Sequence, residues 1–175
     1  MAAVDSLDTL LISELRQVYD TEQRLTKAIP KLVEASSNSD LVNALSKHLN
    51  ETRQHVARLE EAFGVLEAEA EAKTCVSSKG LISDADDRAG ECERGSLRDA
   101  AIIGATQCIE HYEIAAYGTV IAHARLLGRN PVVRLLEATL SEEKAASQAL
   151  TDIAERVVNP NVRAGVSEVR PRTTA

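Results

Sequence analysis

Four long stretches of the chain repeat apolar residues at alternating intervals of three and four positions. Residues spaced in this way share one face of an α-helix, so each stretch predicts an amphipathic helix. Small polar residues suited to helix N-caps stand at the starts, and glycine or proline follows the last two helices. The predicted helices run from Ser6 to about Ala35, from Asp40 to about Ala72, from Ser96 to Leu127 and from Asn130 to Asn159. The pattern therefore predicts an all-α protein, with a four-helix bundle over residues 1–159 and a polar, flexible tail over residues 160–175.

The connection between the second and third helices is unusually long. From Thr74 to Gly95 the periodic pattern weakens, and Gly80 and Gly90 interrupt it. Leu81 and Ile82 could support only a short extra helix. A connection of this length can cross a four-helix bundle from one end to the other, as in ferritin-like topology.

Composition and charge narrow the class of protein. Aromatic residues make up only 2% of the 175 positions, which disfavours a β-sandwich or barrel. The net charge of −7 argues against a nucleic-acid-binding module, and no apolar run approaches the roughly 20 residues of a membrane span. Cys75, Cys92 and Cys108 lack the spacing of a zinc site or a disulfide framework, so we expect free thiols in a cytoplasmic protein.

Acidic residues interrupt the apolar stripes of the predicted helices. An ionised carboxylate on a core-facing stripe is costly unless it is paired or bound to a metal ion. The residues in question, spread over all four helices, are Glu22, Glu51, Glu110, Glu113 and Glu143. Their positions suggest a shared acidic site in the core.

Depth along the bundle can be compared by counting residues from each turn. Glu22 and Glu51 stand about 15 and 14 residues from a turn near residue 37, so they lie at nearly the same level. Glu113 and Glu143 stand about 16 and 14 residues from a turn near residue 129, and they match equally well. Glu14 is about 12 Å further along the first helix and belongs to another layer or an interface.

Carboxylates gathered in this way raise one another's pKa values unless cations neutralise them. Two divalent ions held about 3.5–4 Å apart by carboxylates are a known solution. Di-iron bundles combine such glutamates with Glu-x-x-His pairs, and Glu51 with His55 resembles half of that set, with a spacing of four instead of three. We expect His48 to pack or hydrogen-bond beside the site. An oxygen-rich ligand set would leave manganese open as well as iron.

Glu142 stands next to Glu143 on the fourth helix. It is expected to be an exposed neighbour, although the small difference in helical phase would allow the two residues to exchange roles.

Several runs resemble the YciF/YciE-type ferritin-like proteins. They are residues 19–22 (YDTE), 48–52 (HLNET), 79–82 (KGLI), 109–118 (IEHYEIAAYG) and 140–144 (LSEEK), and the resemblance extends from about Leu7 to Val158. It implies a ferritin-like bundle, a di-iron site, a homodimer and a link to stress responses. Carried onto this chain, it implies metal ligands at Glu22, Glu51, Glu110, Glu113 and Glu143.

The leading functional hypothesis is a metal-binding protein with two iron ions per chain. Its inferred chemistry is oxidation of Fe(II) by oxygen or peroxide, although enzymatic turnover is left undecided. One alternative is a non-enzymatic helical stress or interaction protein whose core acids are protonated or hydrogen-bonded pairs. A second alternative is metal sequestration without turnover.

Overall fold

The computed structural model describes residues 4–168, except for the side chains of residues 165–168. The helices are α1 Leu7–Ala35, α2 Ser39–Val65, α3 Val76–Glu91, α4 Ser96–Leu126, α5 Asn130–Ile153 and α6 Asn159–Glu168, with one π-helical turn at Ala154–Val158. The predicted all-α fold is confirmed, and the crossover between α2 and α4 contains the short extra helix, α3. None of these helices combines the length and apolarity that a membrane crossing requires.

The start of each of the first two helices is fixed by a polar side chain. The Ser6 hydroxyl accepts a hydrogen bond from the backbone N–H of Thr9, which completes a capping box with the Thr9 side chain. The Asn38 side chain accepts from the backbone N–H groups of Asp40 and Leu41. These contacts explain why α1 and α2 begin where the sequence pattern predicts.

Asp99, in the first turn of α4, ties that helix to the turn between α1 and α2. Its carboxylate is buried and accepts hydrogen bonds from the backbone N–H groups of Ser37 and Asn38, at 2.7 and 3.0 Å. The start of α4 therefore lies at the same level of the bundle as the start of α2. This contact fixes the relative depth of side chains further along both helices.

Two predicted helix ends are wrong. α2 ends at Val65 instead of near Ala72, because Glu67 adopts a left-handed backbone with φ of 53° and the following acidic run has no apolar stripe to bury. The chain stays helical beyond Asn159, because the turn before Pro160 is π-helical, with the Asn159 N–H bonded to the Ala154 carbonyl, and a local π-helical turn of this kind can accommodate a proline inside a helix. Residues 169–175 of the predicted tail lie outside the described residues.

The apolar core consists of two clusters at different depths. One cluster is formed around Leu11, Leu15, Leu59, Phe63 and Leu136. The other is formed around Leu25, Ile29, Leu41, Ile102 and Leu150, with α3 residues packed against it. The layer between the two clusters is polar, and it contains the acidic residues that interrupt the stripes.

Candidate metal centre

Six buried side chains from four helices meet in the polar layer. They are Glu22 of α1, His48 and His55 of α2, Glu110 and Glu113 of α4, and Glu143 of α5, and none is more than 4% exposed. They form two groups of possible metal ligands, within each of which the ligand atoms lie within 4.8 Å of one another. One group is Glu22, His55 and Glu143, and the other is His48, Glu110, Glu113 and Glu143.

Glu143 belongs to both groups, and its two oxygens face different partners. Oε1 lies 3.0 Å from Nδ1 of His55, and that nitrogen is 3.3 Å from Oε1 of Glu22. Oε2 lies 3.7 Å from Nε2 of His48, which is 3.2 Å from Oε1 of Glu110. A carboxylate placed in this way can bridge two metal ions.

Many buried polar atoms of this layer lack hydrogen-bond partners. Both oxygens of Glu113 and of Glu143, one oxygen each of Glu22 and Glu110, and Nδ1 of both histidines are unpartnered; among the described side chains the other such atom is Nε of Arg16. The short distances from Nδ1 of His55 to Glu22 and Glu143 are ion-pair contacts that lack the geometry of a hydrogen bond. Buried polar groups are normally satisfied, so this concentration of free donor atoms fits a metal centre.

The protonation of the layer has a clear physical cause. Burial raises the pKa values of Glu22, Glu113 and Glu143, and the negative charges of neighbouring carboxylates raise them further. Burial alone would lower the pKa of His55, but Glu143 and Glu22 outweigh it and raise the pKa to about 10. Without a metal ion, bound protons balance the negative charge of the carboxylates in this layer. A bound cation would displace these protons.

The His55 side of the centre is held by a second layer of contacts. Nε2 of His55 lies 2.8 Å from Oε2 of Glu142, which leaves Nδ1 directed at Glu22 and Glu143. The Arg58 guanidinium donates hydrogen bonds to both oxygens of Glu142, at 2.5 and 2.9 Å. A carboxylate on the outer nitrogen fixes the histidine tautomer, as is usual for metal-binding histidines. Tyr117 donates a 2.5 Å hydrogen bond to Oε1 of Glu22 and is itself fully buried.

The His48 side is held more loosely. Nε2 of His48 faces the centre, whereas Nδ1 lies 3.9 Å from Oε2 of Glu51 and has no hydrogen-bond partner. Glu51 instead forms a 2.5 Å ion pair with Lys47, and its side chain is 16% exposed. The closeness of His48, and then of Lys47, holds the pKa of Glu51 at about 2.

The structure brings together most, but not all, of the residues that the sequence analysis proposed. Glu22, His55, Glu110, Glu113 and Glu143 meet in the two groups, whereas Glu51 lies outside both.

His48 belongs to one of the two groups of possible ligands instead, although the sequence analysis gave it only a packing or hydrogen-bonding role. The available signal was its spacing of seven residues from His55, which places both rings on one face of α2 two turns apart.

Glu142 and Glu14 also have defined places. Glu142 does not exchange with Glu143, because it is held by Arg58 and supports His55 from outside the ligand groups. Glu14 pairs with His123 at 2.9 Å in a different layer, as the comparison of depths predicts.

Four long helices around a buried layer of carboxylates and histidines, with a crossover between the helix pairs, define a ferritin-like helical protein. The family described as "Domain of unknown function (DUF892)" matches residues 6–163, and the chain belongs to this family. The protein YciF of Escherichia coli strain K12 is 40% identical over 158 residues, which cover 88% of this chain and 93% of YciF. The resemblance inferred from the sequence runs is therefore confirmed.

Solved structures show the same fold. The E. coli stress protein YciF superposes with a TM-score of 0.85 at 38% identity, covering 89% of this chain and 99% of that one. YcfI from Rhodopseudomonas palustris gives a TM-score of 0.83 at 42% identity, covering 85% and 94%. The protein XCC3681 from Xanthomonas campestris pv. campestris, at 19% identity, has a TM-score of 0.74 over 92% of this chain and 99% of that one and shares the fold.

Proposed function

We propose that this chain is a ferritin-like metal-binding protein whose core holds two divalent ions, one in each ligand group. The observation that carries the proposal is the set of buried, unpartnered oxygen and nitrogen atoms around Glu143. An acidic core without a cation would hold these atoms at a cost in stability. Two ions would satisfy them and neutralise the carboxylates.

Iron is the ion that we propose, because the donor set is compatible with it. Four glutamates and two histidines are the same inventory that di-iron carboxylate bundles use. Here both histidines come from α2, and the four glutamates come from α1, α4 and α5, so the inventory is reached without a Glu-x-x-His pair. Two imidazole nitrogens favour iron over magnesium or calcium, and manganese remains compatible with the carboxylates.

The proposed chemistry is oxidation of Fe(II) by oxygen or peroxide. Its place in a stress response is proposed from the likeness to YciF, a stress protein of E. coli. A pair of iron ions would supply two electrons at one place. The protein's own residues would hold both ions in a dry layer, with Glu143 between them and Tyr117 fixing Glu22 by its hydrogen bond. A homodimer in the cytoplasm is part of the same proposal.

The experiment that tests the proposal is metal analysis of protein reconstituted with Fe(II) under anaerobic conditions. We expect about two irons per chain. A Glu110→Gln, Glu113→Gln double variant should lose metal, whereas a matched Glu34→Gln, Glu61→Gln variant, with two exposed carboxylates changed, should not. Near-zero metal in the wild-type chain would reject the proposal and leave a non-enzymatic helical stress protein.

Turnover requires a separate measurement. Protein loaded with Fe(II) under anaerobic conditions is mixed with a known amount of oxygen or peroxide, and consumption of that oxidant would indicate oxidation; the double variant is the control. Binding of about two irons per chain without consumption would indicate sequestration.

A further inference from the structure

A small cavity opens beside the His48 side of the centre, between α2 and α5. Its volume is about 40 Å³, which is room for roughly one water molecule or one small ion. His48 and Glu110 are its buried wall toward the centre, and Lys47 and Glu51 are its more exposed residues. The remaining lining is largely alanine, from Ala44, Ala145, Ala146 and Ala149.

His48 connects this cavity to the ligand groups. Its side chain is only 5% exposed, and its two ring nitrogens face different surroundings. Nε2 lies 3.2 Å from Glu110 inside the centre, whereas Nδ1 is unpartnered and lies on the side of Glu51. A buried ring nitrogen without a partner, in the wall of a cavity, indicates that something polar passes or binds there.

The outer part of the cavity carries one carboxylate and one ammonium group. Glu51 is 16% exposed, and its partner Lys47 is 68% exposed. Ion pairs of lysine with glutamate one helical turn away contribute little to stability, because water screens them and the lysine stem is flexible. A divalent cation, with twice the charge of the ammonium group, can therefore take the place of Lys47 on Glu51.

We propose that this cavity is the route by which metal ions enter the centre, with Glu51 as the residue that captures the cation at the entrance. This inference rests on the proposed function, since it requires metal in the core. The incoming cation displaces Lys47 from Glu51, passes His48 and reaches Glu110 and Glu143. The alanine side chains keep the passage open, because a longer side chain at their positions would fill it.

Rates of metal binding test this route independently of any catalytic activity. The probe is Co(II), whose visible absorption reports its entry into a protein site, mixed with metal-free full-length protein in a stopped-flow instrument. Glu51→Gln removes the capturing charge, and Ala146→Leu fills the cavity. The control for Glu51→Gln is Asp84→Asn, which removes the carboxylate of the exposed ion pair between Asp84 and Arg88, one helical turn apart. The control for Ala146→Leu is Ala138→Leu, which enlarges an exposed alanine of α5 outside the cavity.

We expect Glu51→Gln to slow Co(II) entry by about tenfold, in line with the loss of electrostatic steering. Ala146→Leu should also slow entry, because its side chain fills the passage. Both should still bind the same amount of Co(II) at equilibrium, and both controls should bind at the wild-type rate. Unchanged rates in both test variants would overturn the entry route.

Loss of bound Co(II) at equilibrium in Glu51→Gln would also overturn the capture role, because Glu51 would then be a ligand. A wild-type chain that binds no Co(II) and no Fe(II) would instead reject the proposed function, so the two failures can be distinguished.

Discussion

Each side of the centre has a cationic side chain, a carboxylate and a histidine ring outside or at the ligand group. The two sides differ in the distances between these groups. On one side Arg58, Glu142 and His55 form a continuous chain of short contacts that leads to Glu22. On the other side the groups are Lys47, Glu51 and His48, and the contact between Glu51 and the ring is 3.9 Å long. The first side therefore has a closely contacted support for its histidine, and the second side does not.

The choice of cation and the origin of the carboxylate explain this difference. Arg58 holds both oxygens of Glu142 with a planar fork, and Glu142 reaches His55 from a different helix. Lys47 is a single point charge, and it competes with His48 for Glu51 on the same helix. The two ligand groups therefore differ in how firmly their histidines are supported from outside the centre.

The largest expected difference between the two sides is that a single substitution removes the ion from one side and leaves the ion on the other. Glu22→Gln should remove the ion on the His55 side and leave about one per chain, because Glu22 belongs to one group only. Glu143→Gln should remove both, since its oxygens face both groups. Metal analysis after Fe(II) reconstitution measures the difference; equal losses in the two variants would contradict two distinct ligand groups.

A smaller effect concerns the residues behind the histidines. Glu142→Gln weakens the support of His55, so we expect metal affinity to fall by about 10- to 100-fold, the usual result of removing a partner of a metal-binding histidine. Glu51→Gln should change equilibrium affinity far less, because its contact with His48 is long. Chelator-competition titration measures both, and a larger loss in Glu51→Gln would reverse the comparison.

The smallest effect is a dependence of the stability of the metal-free protein on pH. The pKa of His55 is about 10 in the folded chain against an ordinary value of 6.5, so the folded state holds the proton more tightly. The stabilisation is complete below pH 6.5 and is lost as pH rises through about 10. The difference in free energy of unfolding between wild type and His55→Gln, from urea titrations, should therefore shrink over this range.

The metal-loaded protein is the matched control for this prediction. A bound ion already occupies the ring nitrogen, so the loaded protein should show less of the change. A difference that grows with pH in the metal-free protein would contradict the assignment of a raised pKa to His55.

Much of the centre could be predicted from the sequence, because helical phase and depth are simple geometric quantities. Glu22, Glu110, Glu113 and Glu143 lie on apolar stripes at matched depths, and they meet. Phase and depth could not show which of His48 and Glu51 would join the ligand groups. Both lie close to the inner face of α2, and the outcome depends on side-chain rotamers and on the partner that Lys47 provides outside.

The ends of the helices show the same limit of prediction. The apolar stripe of α2 fades gradually, so periodicity alone gave no sharp end after Leu66. The left-handed backbone at Glu67 is a local conformation that composition does not reveal. Asn159-Pro160 can end one helix or begin another, and the preceding π-helical turn selected the second outcome.

The hydrogen bonds from Ser37 and Asn38 to Asp99 set a common reference level for α2 and α4. Glu110 stands 11 residues beyond Asp99 and His48 stands 10 residues beyond Asn38, which is roughly 15–17 Å along their own helices. One residue inserted between Asp99 and Glu110 would leave α4 helical, yet it would turn Glu110 by about 100° and shift it by about 1.5 Å. The number of residues in this segment, more than their identity, therefore keeps the buried polar side chains of separate helices at the same level.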